Sequence, residues 1–211
     1  MYSFAKYKLF IFDWDNTLVE SPFLLNLTRY LKQRYWKKPE KIKISNERLD
    51  IAKMQRLEEE SKVLSSFFDF YLFIQKPKPK PYSLELLSFL KLKHKKIAIF
   101  SDGKSERVLK EIHFFSMGNY VDFAMGANSI KRFKPDPAGL LYIMHKYKAS
   151  RRESIYIGDM AVDIFTARLA GIDSCAIADG LDSISKLKEE KPTYLFETLS
   201  GFLRALKEEI R

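Results

Sequence analysis

The sequence predicts an α/β fold, in which a doubly wound and mainly parallel sheet is covered by helices on both faces. Short, continuously apolar segments at residues 8–12, 96–100 and 154–157 have the composition of buried strands. Segments with helical periodicity alternate with these strands from residue 83 onward, which is typical of a parallel sheet. A chain of 211 residues with 46% hydrophobic content is long enough to bury a large core.

The elements of this fold can be placed in order along the chain. The first strand at 8–12 ends at a pair of acids, and Gly171 has the position of a C-cap that closes one helix. The remaining strands are predicted near 96–100, 121–125, 154–157, 175–178 and 194–196, and the helices near 83–92, 104–115, 137–147, 162–170 and 199–210.

A separate helical unit is predicted between the first strand and residue 81. Three segments with helical spacing, at 23–37, 45–60 and 62–75, precede a Lys/Pro run that cannot continue a helix. We therefore expect a core formed by residues 1–20 and 81–211 and a helical insertion at 21–80. The insertion has 14 Lys plus Arg against 7 Asp plus Glu, so it carries +7 of the net charge of +10. That charge would attract phosphorylated small molecules, nucleic-acid ends or anionic surfaces alike.

Composition also narrows the class of protein. No uncharged apolar run approaches the roughly 18 residues of a membrane span, and Asp13 and Asp15 come too early for a cleavable signal. We therefore expect a cytoplasmic protein, either a monomer or a homodimer, without membrane contact. Cys175 is the only cysteine, which excludes an internal disulfide.

Three predicted strands end in polar residues that could form one site. Asp13 and Asp15 follow the first strand, residues 101–102 follow the second, and residues 158–159 follow a later one. Ligands of open parallel sheets bind outside the carboxyl ends of the strands, where these residues would meet. Asp13 and Asp15, two positions apart on extended chain, point the same way and could share a cation. Lys134, in a Lys-Pro-Asp-Pro loop, could reach the same crevice.

These motifs resemble those of the haloacid dehalogenase-like hydrolase superfamily, in the same order along the chain. The stretch from residue 163 to 171 is similar to the phosphoglycolate phosphatase-like branch. The resemblance implies a Rossmann-like core and a helical cap at 21–80. The four motifs are residues 13–17, 101–103, 134–137 and 158–159, the last with Asp163.

The resemblance implies a role for each motif residue. Asp13 would be the nucleophile that forms an aspartyl-phosphate, and Asp15 the general acid and then the general base. Mg²⁺ would be bound by Asp13, the backbone carbonyl of Asp15 and Asp159, with Asp163 nearby or bound through water. Asp163 could instead be a first-turn acid favoured by the helix dipole.

Phosphoryl oxygens would be bound by the second and third motifs. Ser101 and the backbone N–H groups of Asp102 and Gly103 would form an anion site at a helix start. Lys134 would add positive charge where negative charge develops in the transition state. Thr17 would orient the site through its hydroxyl, or could cap a helix.

Two motif positions depart from the family pattern. Asn16 stands where glycine is common, a change that Asn tolerates because it also adopts left-handed backbone conformations. Asp102 stands where this branch more often has asparagine. Its carboxylate would repel a bound phosphate unless it turned away or met a cationic group of the substrate.

The leading hypothesis is therefore a Mg²⁺-dependent phosphatase of a small phosphorylated metabolite. A phosphomutase would share all four motifs, and a phosphatase of nucleic-acid ends would suit the basic insertion. Asp15 argues against halide chemistry, since dehalogenases of the superfamily lack the second acid. A non-enzymatic binding protein on the same fold is the alternative from another class.

Overall fold

A computed structural model of the chain describes residues 3–21 and 77–210. Its strands are β1 (Leu9–Phe12), β2 (Val19–Glu20), β3 (Lys78–Pro79), β4 (Lys96–Ser101), β5 (Phe123–Gly126), β6 (Ser154–Gly158), β7 (Asp173–Ile177) and β8 (Tyr194–Phe196). Its helices are α1 (Ser83–Leu92), α2 (Ser105–Phe114), α3 (Ala138–Lys146), α4 (Ala161–Ala170), α5 (Ile184–Glu189) and α6 (Leu199–Glu209).

Six of the strands form one parallel sheet in the order β5-β4-β1-β6-β7-β8. The chain moves outward from β1 through β4 to β5 and then returns to place β6 on the other side of β1. The strand order thus reverses between β1 and β6, where an open α/β sheet has its ligand crevice. The predicted doubly wound parallel sheet is confirmed.

The central strands are buried on both faces, because each face packs against helices. Phe10 and Phe12 of β1 belong to one apolar cluster with helices α1, α2 and α6. Leu9 and Ile11 belong to the opposite cluster, with helices α3 and α4. Alternate residues of a strand point to opposite faces, so a continuously apolar strand serves two cores.

A second, two-stranded sheet lies where the chain leaves and re-enters the core. Val19 pairs with Pro79 and Glu20 with Lys78 in antiparallel register. The ends of the intervening segment are therefore adjacent. The predicted helical insertion lies almost wholly outside the described residues, which exclude 22–76.

Most predicted elements match the described ones to within about two residues at each end. Gly171 has φ 73° and ends α4, as expected of a C-cap. Helix α5 and the β2–β3 pair were not predicted. In the described parts of the chain no helix is long and apolar enough to cross a membrane.

Candidate active site

The loop after β1 carries the two acids into the crevice. The Asp13 N–H donates to the carbonyl of Ile157 at 2.8 Å, which extends the β1–β6 pairing by one residue. Asn16 then adopts φ 61°, and its N–H donates to Val19 O at 2.7 Å to close the turn. Asparagine is among the residues that adopt this left-handed conformation most readily, so the turn can accept Asn16 where glycine is common.

Three buried carboxylates form a cluster at the β1 and β6 ends. Asp13, Asp159 and Asp163 each present one oxygen, and these oxygens lie within 4.8 Å of one another. All three residues are at most 1% exposed. The structure therefore brings together the three acids whose side chains were predicted to bind metal.

Each acid from the β6 end is oriented by hydrogen bonds. Asp159 accepts from the Thr17 hydroxyl at 3.0 Å and from the N–H of Leu181 at 2.7 Å. Asp163 accepts from the N–H of Met160 at 3.0 Å, so it closes the first turn of α4 as well as entering the cluster. The predicted contribution of Thr17 is thus a contact to a carboxylate of the cluster.

Two glycines allow the backbone to approach these acids closely. A Cβ atom at Gly158 would lie 2.3 Å from Oδ2 of Asp163, and one at Gly180 would lie 2.3 Å from Cβ of Asp159. Neither position could therefore carry a side chain without moving an acid of the cluster.

Lys134 is the cation of this cluster. Its Nζ lies 2.8 Å from Oδ1 of Asp13 and 2.7 Å from Oδ1 of Asp163, and its side chain is 3% exposed. Burial alone would lower the pKa of Lys134, but the charges of Asp13 and Asp163 raise it well above its ordinary value. Tyr156 OH donates to the carbonyl of Phe100 at 3.0 Å and lies 3.3 Å from Asp163 Oδ1.

The donor set and its charge fit a divalent cation. Three carboxylates against one ammonium leave a formal charge of −2 (−3 + 1) in a buried volume. Carboxylate oxygens are hard ligands of the kind that Mg²⁺ prefers. Like charges held this close repel one another unless a cation lies between them.

Asp15 lies in a different environment from Asp13. Its carboxylate is fully buried and accepts from the Ser21 hydroxyl at 2.7 Å and the Ser101 hydroxyl at 3.3 Å. Arg107 binds it with both arms of the guanidinium, NH1 to Oδ1 at 2.8 Å and NH2 to Oδ2 at 2.5 Å. The second acid therefore already has a full set of donors within the protein.

Arg107 and Glu111, on helix α2, are site residues that sequence reasoning missed. Arg107 NH1 also contacts both Glu111 oxygens, at 3.2 and 3.0 Å, and the indole N–H of Trp14 donates to Glu111 at 2.5 Å. Burial raises the pKa of Glu111, while Arg107 and the Trp14 hydrogen bond oppose that change. The spacing of Arg107 and Glu111, four residues apart on a helix after the second motif, was the available signal.

The loop of the second motif differs from expectation in two respects. Helix α2 begins at Ser105, so residues 101–103 precede its first turn instead of forming it. The Gly103 N–H donates to the Ser101 hydroxyl oxygen at 3.0 Å. The Asp102 carboxylate accepts the backbone N–H of Lys134 at 2.9 Å, so it is used to hold the third motif in place.

The fold and these contacts define a class of protein: a doubly wound α/β domain with a carboxylate and lysine centre at its topological switch point. A family model described as haloacid dehalogenase-like hydrolase matches residues 10–177. The chain belongs to this family, and the predicted family, fold class and hydrolase assignment are confirmed.

Several named proteins are similar to this chain. A candidate pyrophosphatase, PpaX, from Caldanaerobacter subterraneus is 30% identical over 123 residues, which are 58% of this chain and 56% of that protein. The chain thus matches about half the length of this relative. The phosphoglycolate phosphatase of Haemophilus influenzae strain 86-028NP is 26% identical over 222 aligned positions, covering 96% and 99% of the two chains.

Solved structures share the fold. A candidate phosphoglycolate phosphatase from Haemophilus somnus superposes with a TM-score of 0.69 at 21% identity, covering 95% of this chain and 98% of that one. At this level of identity the likeness concerns the fold alone.

Proposed function

We propose that the protein is a Mg²⁺-dependent phosphatase of a small phosphate ester. The observation that carries this proposal is the buried Asp13 carboxylate, which contacts the ammonium of Lys134 and lies within 4.8 Å of two further acids. A nucleophile, a fixed positive charge and a set of metal ligands therefore converge on one point at the switch of the sheet.

In the first step an Asp13 oxygen attacks phosphorus while the bond from phosphorus to the departing ester oxygen breaks. For this step Asp15 carries a proton on one oxygen, which is released from its arm of the Arg107 fork, and gives that proton to the departing oxygen, so an alcohol leaves and an aspartyl-phosphate remains on Asp13. In the second step Asp15 takes a proton from water, whose oxygen attacks phosphorus and releases inorganic phosphate. Asp13 is then free again.

Lys134 and the second motif have supporting roles in both steps. The Lys134 ammonium, fixed by Asp13 and Asp163, stabilises negative charge on the phosphoryl oxygens. The Ser101 hydroxyl and the N–H groups of Asp102 and Gly103 bind those oxygens, and the Gly103 N–H exchanges its bond to the Ser101 oxygen for one to the phosphoryl group. Asp102 acts through Lys134, because its carboxylate holds the backbone of that residue.

Mg²⁺ would be held by Asp13, Asp159 and the carbonyl of Asp15, with Asp163 bound directly or through water. The bound ion supplies electrostatic stabilisation of the transferring phosphoryl group and neutralises the acids around it. Thr17 and the N–H of Leu181 keep Asp159 oriented toward this position.

The substrate class rests on the relatives and on the charge of the segment at residues 21–80. The similar proteins include phosphoglycolate phosphatases, one of which aligns over nearly its whole length. We infer that the physiological substrate is a small phosphorylated metabolite, selected by residues 21–80 acting as a cap over the crevice. The basic charge of that segment favours anionic ligands.

The test is release of inorganic phosphate from p-nitrophenyl phosphate by the full chain with Mg²⁺. Asp13→Asn should lower kcat by at least about a thousandfold, because it removes the nucleophile. Arg168→Ala is the matched control, since it disturbs an ion pair with Glu190 away from the site and should retain activity. Equal rates in wild type and Asp13→Asn, or no metal dependence, would refute the proposal. Transfer of the phosphoryl group to an added sugar phosphate without net release would instead identify a mutase.

A further inference from the structure

We propose that Arg107 is a positioning residue for Asp15, which holds the acid and base of the reaction in place beside the phosphoryl loop. The inference rests on the proposed function, since it concerns the proton transfers of the same site. It adds to the motif residues one that lies outside all four motifs, 92 positions from its partner.

Arg107 and Asp15 form a bidentate ion pair. The two guanidinium nitrogens NH1 and NH2 meet the two oxygens of Asp15 at 2.8 and 2.5 Å. A planar fork that binds both oxygens fixes the plane of the carboxylate as well as its distance. Arg107 is 16% exposed at the side chain and Asp15 is fully buried, so water competes little with this contact.

Arg107 is itself held in place by Glu111. Glu111, four residues later on α2 and fully buried, contacts NH1 with both of its oxygens. The same carboxylate accepts the indole N–H of Trp14, the neighbour of Asp15 in the chain. Trp14, Glu111, Arg107 and Asp15 thus form a closed ring that ties helix α2 to the loop after β1.

The guanidinium of Arg107 lies close to Gly103. A Cβ atom at Gly103 would lie 2.3 Å from NH2 of Arg107 and 3.2 Å from the Ser101 hydroxyl oxygen. The fork therefore occupies the space over Gly103, directly beside the loop proposed to bind phosphoryl oxygens. Through this placement Arg107 sets where the Asp15 carboxylate stands relative to the ester oxygen.

Arg107 acts through Asp15 and not on the substrate's proton. A guanidinium is a donor without an acceptor site and stays charged in proteins, so it does not exchange protons at neutral pH. Its contribution is orientation: NH1 keeps Asp15 in place through Oδ1 while Oδ2 carries the transferred proton, and this hold matters only for steps in which Asp15 transfers a proton. This restriction gives the inference a distinctive kinetic signature.

The experiment compares two substrates in wild type, Arg107→Ala and Arg107→Lys, using kcat/KM with Mg²⁺. An alkyl phosphate needs a proton on its leaving oxygen, whereas p-nitrophenolate leaves readily without one. Arg107→Ala should lower kcat/KM for the alkyl ester about a hundredfold, as loss of general acid catalysis does. The value for p-nitrophenyl phosphate should fall less than about fivefold. Arg107→Lys, which keeps the charge but loses the fork, should give an intermediate ratio.

Arg168→Ala is the matched control, because it removes an arginine of helix α4 that pairs with Glu190 instead of a site residue. It should leave the ratio of the two substrates at the wild-type value. If a folded Arg107→Ala or Arg107→Lys kept the wild-type ratio of kcat/KM for the two substrates, or lost kcat/KM equally on both, the inference would be overturned. The proposed function would not be affected. If Arg107→Ala fails to fold, the ratio in Arg107→Lys decides. Wild type inactive on both esters would overturn the proposed function and the inference with it.

Discussion

Asp13 and Asp15 stand two residues apart on one loop but lie in contrasting surroundings. Asp13 belongs to a cluster of three carboxylates, of which Asp13 and Asp163 pair with the ammonium of Lys134. Asp15 is held by a bidentate guanidinium and two hydroxyls of the protein itself. We call these the Asp13 half and the Asp15 half of the site.

The two halves differ in the charge that they require from outside the chain. The Asp13 half has an excess of negative charge and therefore calls for a cation from solution. The Asp15 half contains its own cation, whose charge is shared between Asp15 and Glu111. Two acids of one motif thus differ in charge environment because they are served by different elements, β6 and α4 on one side and α2 on the other.

The largest expected effect comes from removing the cation of the Asp13 half. Lys134→Met should lower the free energy of unfolding without Mg²⁺ by about 3–5 kcal/mol, because it leaves buried carboxylates without their partner. Urea unfolding by circular dichroism measures this change. Lys207→Met, which loses an exposed pair with Glu85, is the control and should change stability by less than about 1 kcal/mol. A Lys134→Met variant as stable as this control would remove the contrast between the two halves.

The second prediction concerns Mg²⁺ itself. Saturating Mg²⁺ at about a hundred times its Kd should stabilise the wild type by about 2.7 kcal/mol, because only the folded chain assembles the three acids. The gain should shrink strongly in Asp159→Asn and persist in Arg107→Lys. Thermal unfolding with and without Mg²⁺ measures it, with chelation by EDTA as the reversal. An equal loss of the Mg²⁺ gain in both variants would show that metal demand is not confined to the Asp13 half.

The third prediction tests a link between the loop after β1 and the loop after β7. Lys80, 7% exposed, donates to the carbonyls of Asn16 and Asp179 at 3.0 and 2.9 Å and pairs with the Asp179 carboxylate. Lys80→Met should cost about 2 kcal/mol of stability, since it leaves polar groups without their donor. Urea unfolding should detect this loss, and Lys78→Met, an exposed lysine of the same connector, serves as control. Matching stabilities of the two variants would argue against such a link.

The smallest effect is expected at a carboxylate remote from both halves. Asp122 accepts from Lys91, Lys96 and the N–H of Ile97, and these contacts lower its pKa although burial opposes them. A carboxyl group whose pKa is lowered by folding stabilises the folded protein at pH values above its ordinary pKa. This contribution to stability is lost as the pH falls through the pKa of the folded protein. Asp122→Asn should therefore cost about 1 kcal/mol at pH 7 and progressively less in acid. Urea unfolding at several pH values measures the difference, and a pH-independent cost would contradict it.

Much of the fold could be predicted from local patterns. The strands β1, β4 and β6 are continuous apolar runs, and each ends at the polar residues that were expected to converge. Helix α5 was missed because it has six residues, of which only Leu187 is buried, so it has no clear apolar period. The β2–β3 pair has two residues in each strand and cannot be recognised from alternation.

The site residues that belong to a sequence motif could be predicted. Those that join the site only through tertiary contacts could not. Asp13, Asp159, Asp163 and Lys134 meet as expected. The Arg107 contact depends on how helix α2 lies against the loop after β1, which no local pattern records. Trp14 packs in an apolar cluster of the core, and its indole N–H also donates to Glu111, a contact that no local pattern records. From the sequence, the Asp102 carboxylate was expected to repel a bound phosphate unless it turned away. In the structure this carboxylate accepts a hydrogen bond from the backbone N–H of Lys134.

The antiparallel pairing of Glu20 with Lys78 has a consequence for the architecture of the chain as a module. The 57 residues from 21 to 77 are flanked by Glu20 and Lys78, which are paired on adjacent antiparallel strands. Adjacent antiparallel strands can be joined by a tight turn of as few as about two residues. The β2–β3 pair is thus an insertion point, and its geometry does not fix the length of the inserted segment. A designer could exchange the whole segment, or replace it with a hairpin turn, without altering the register of any strand in the main sheet.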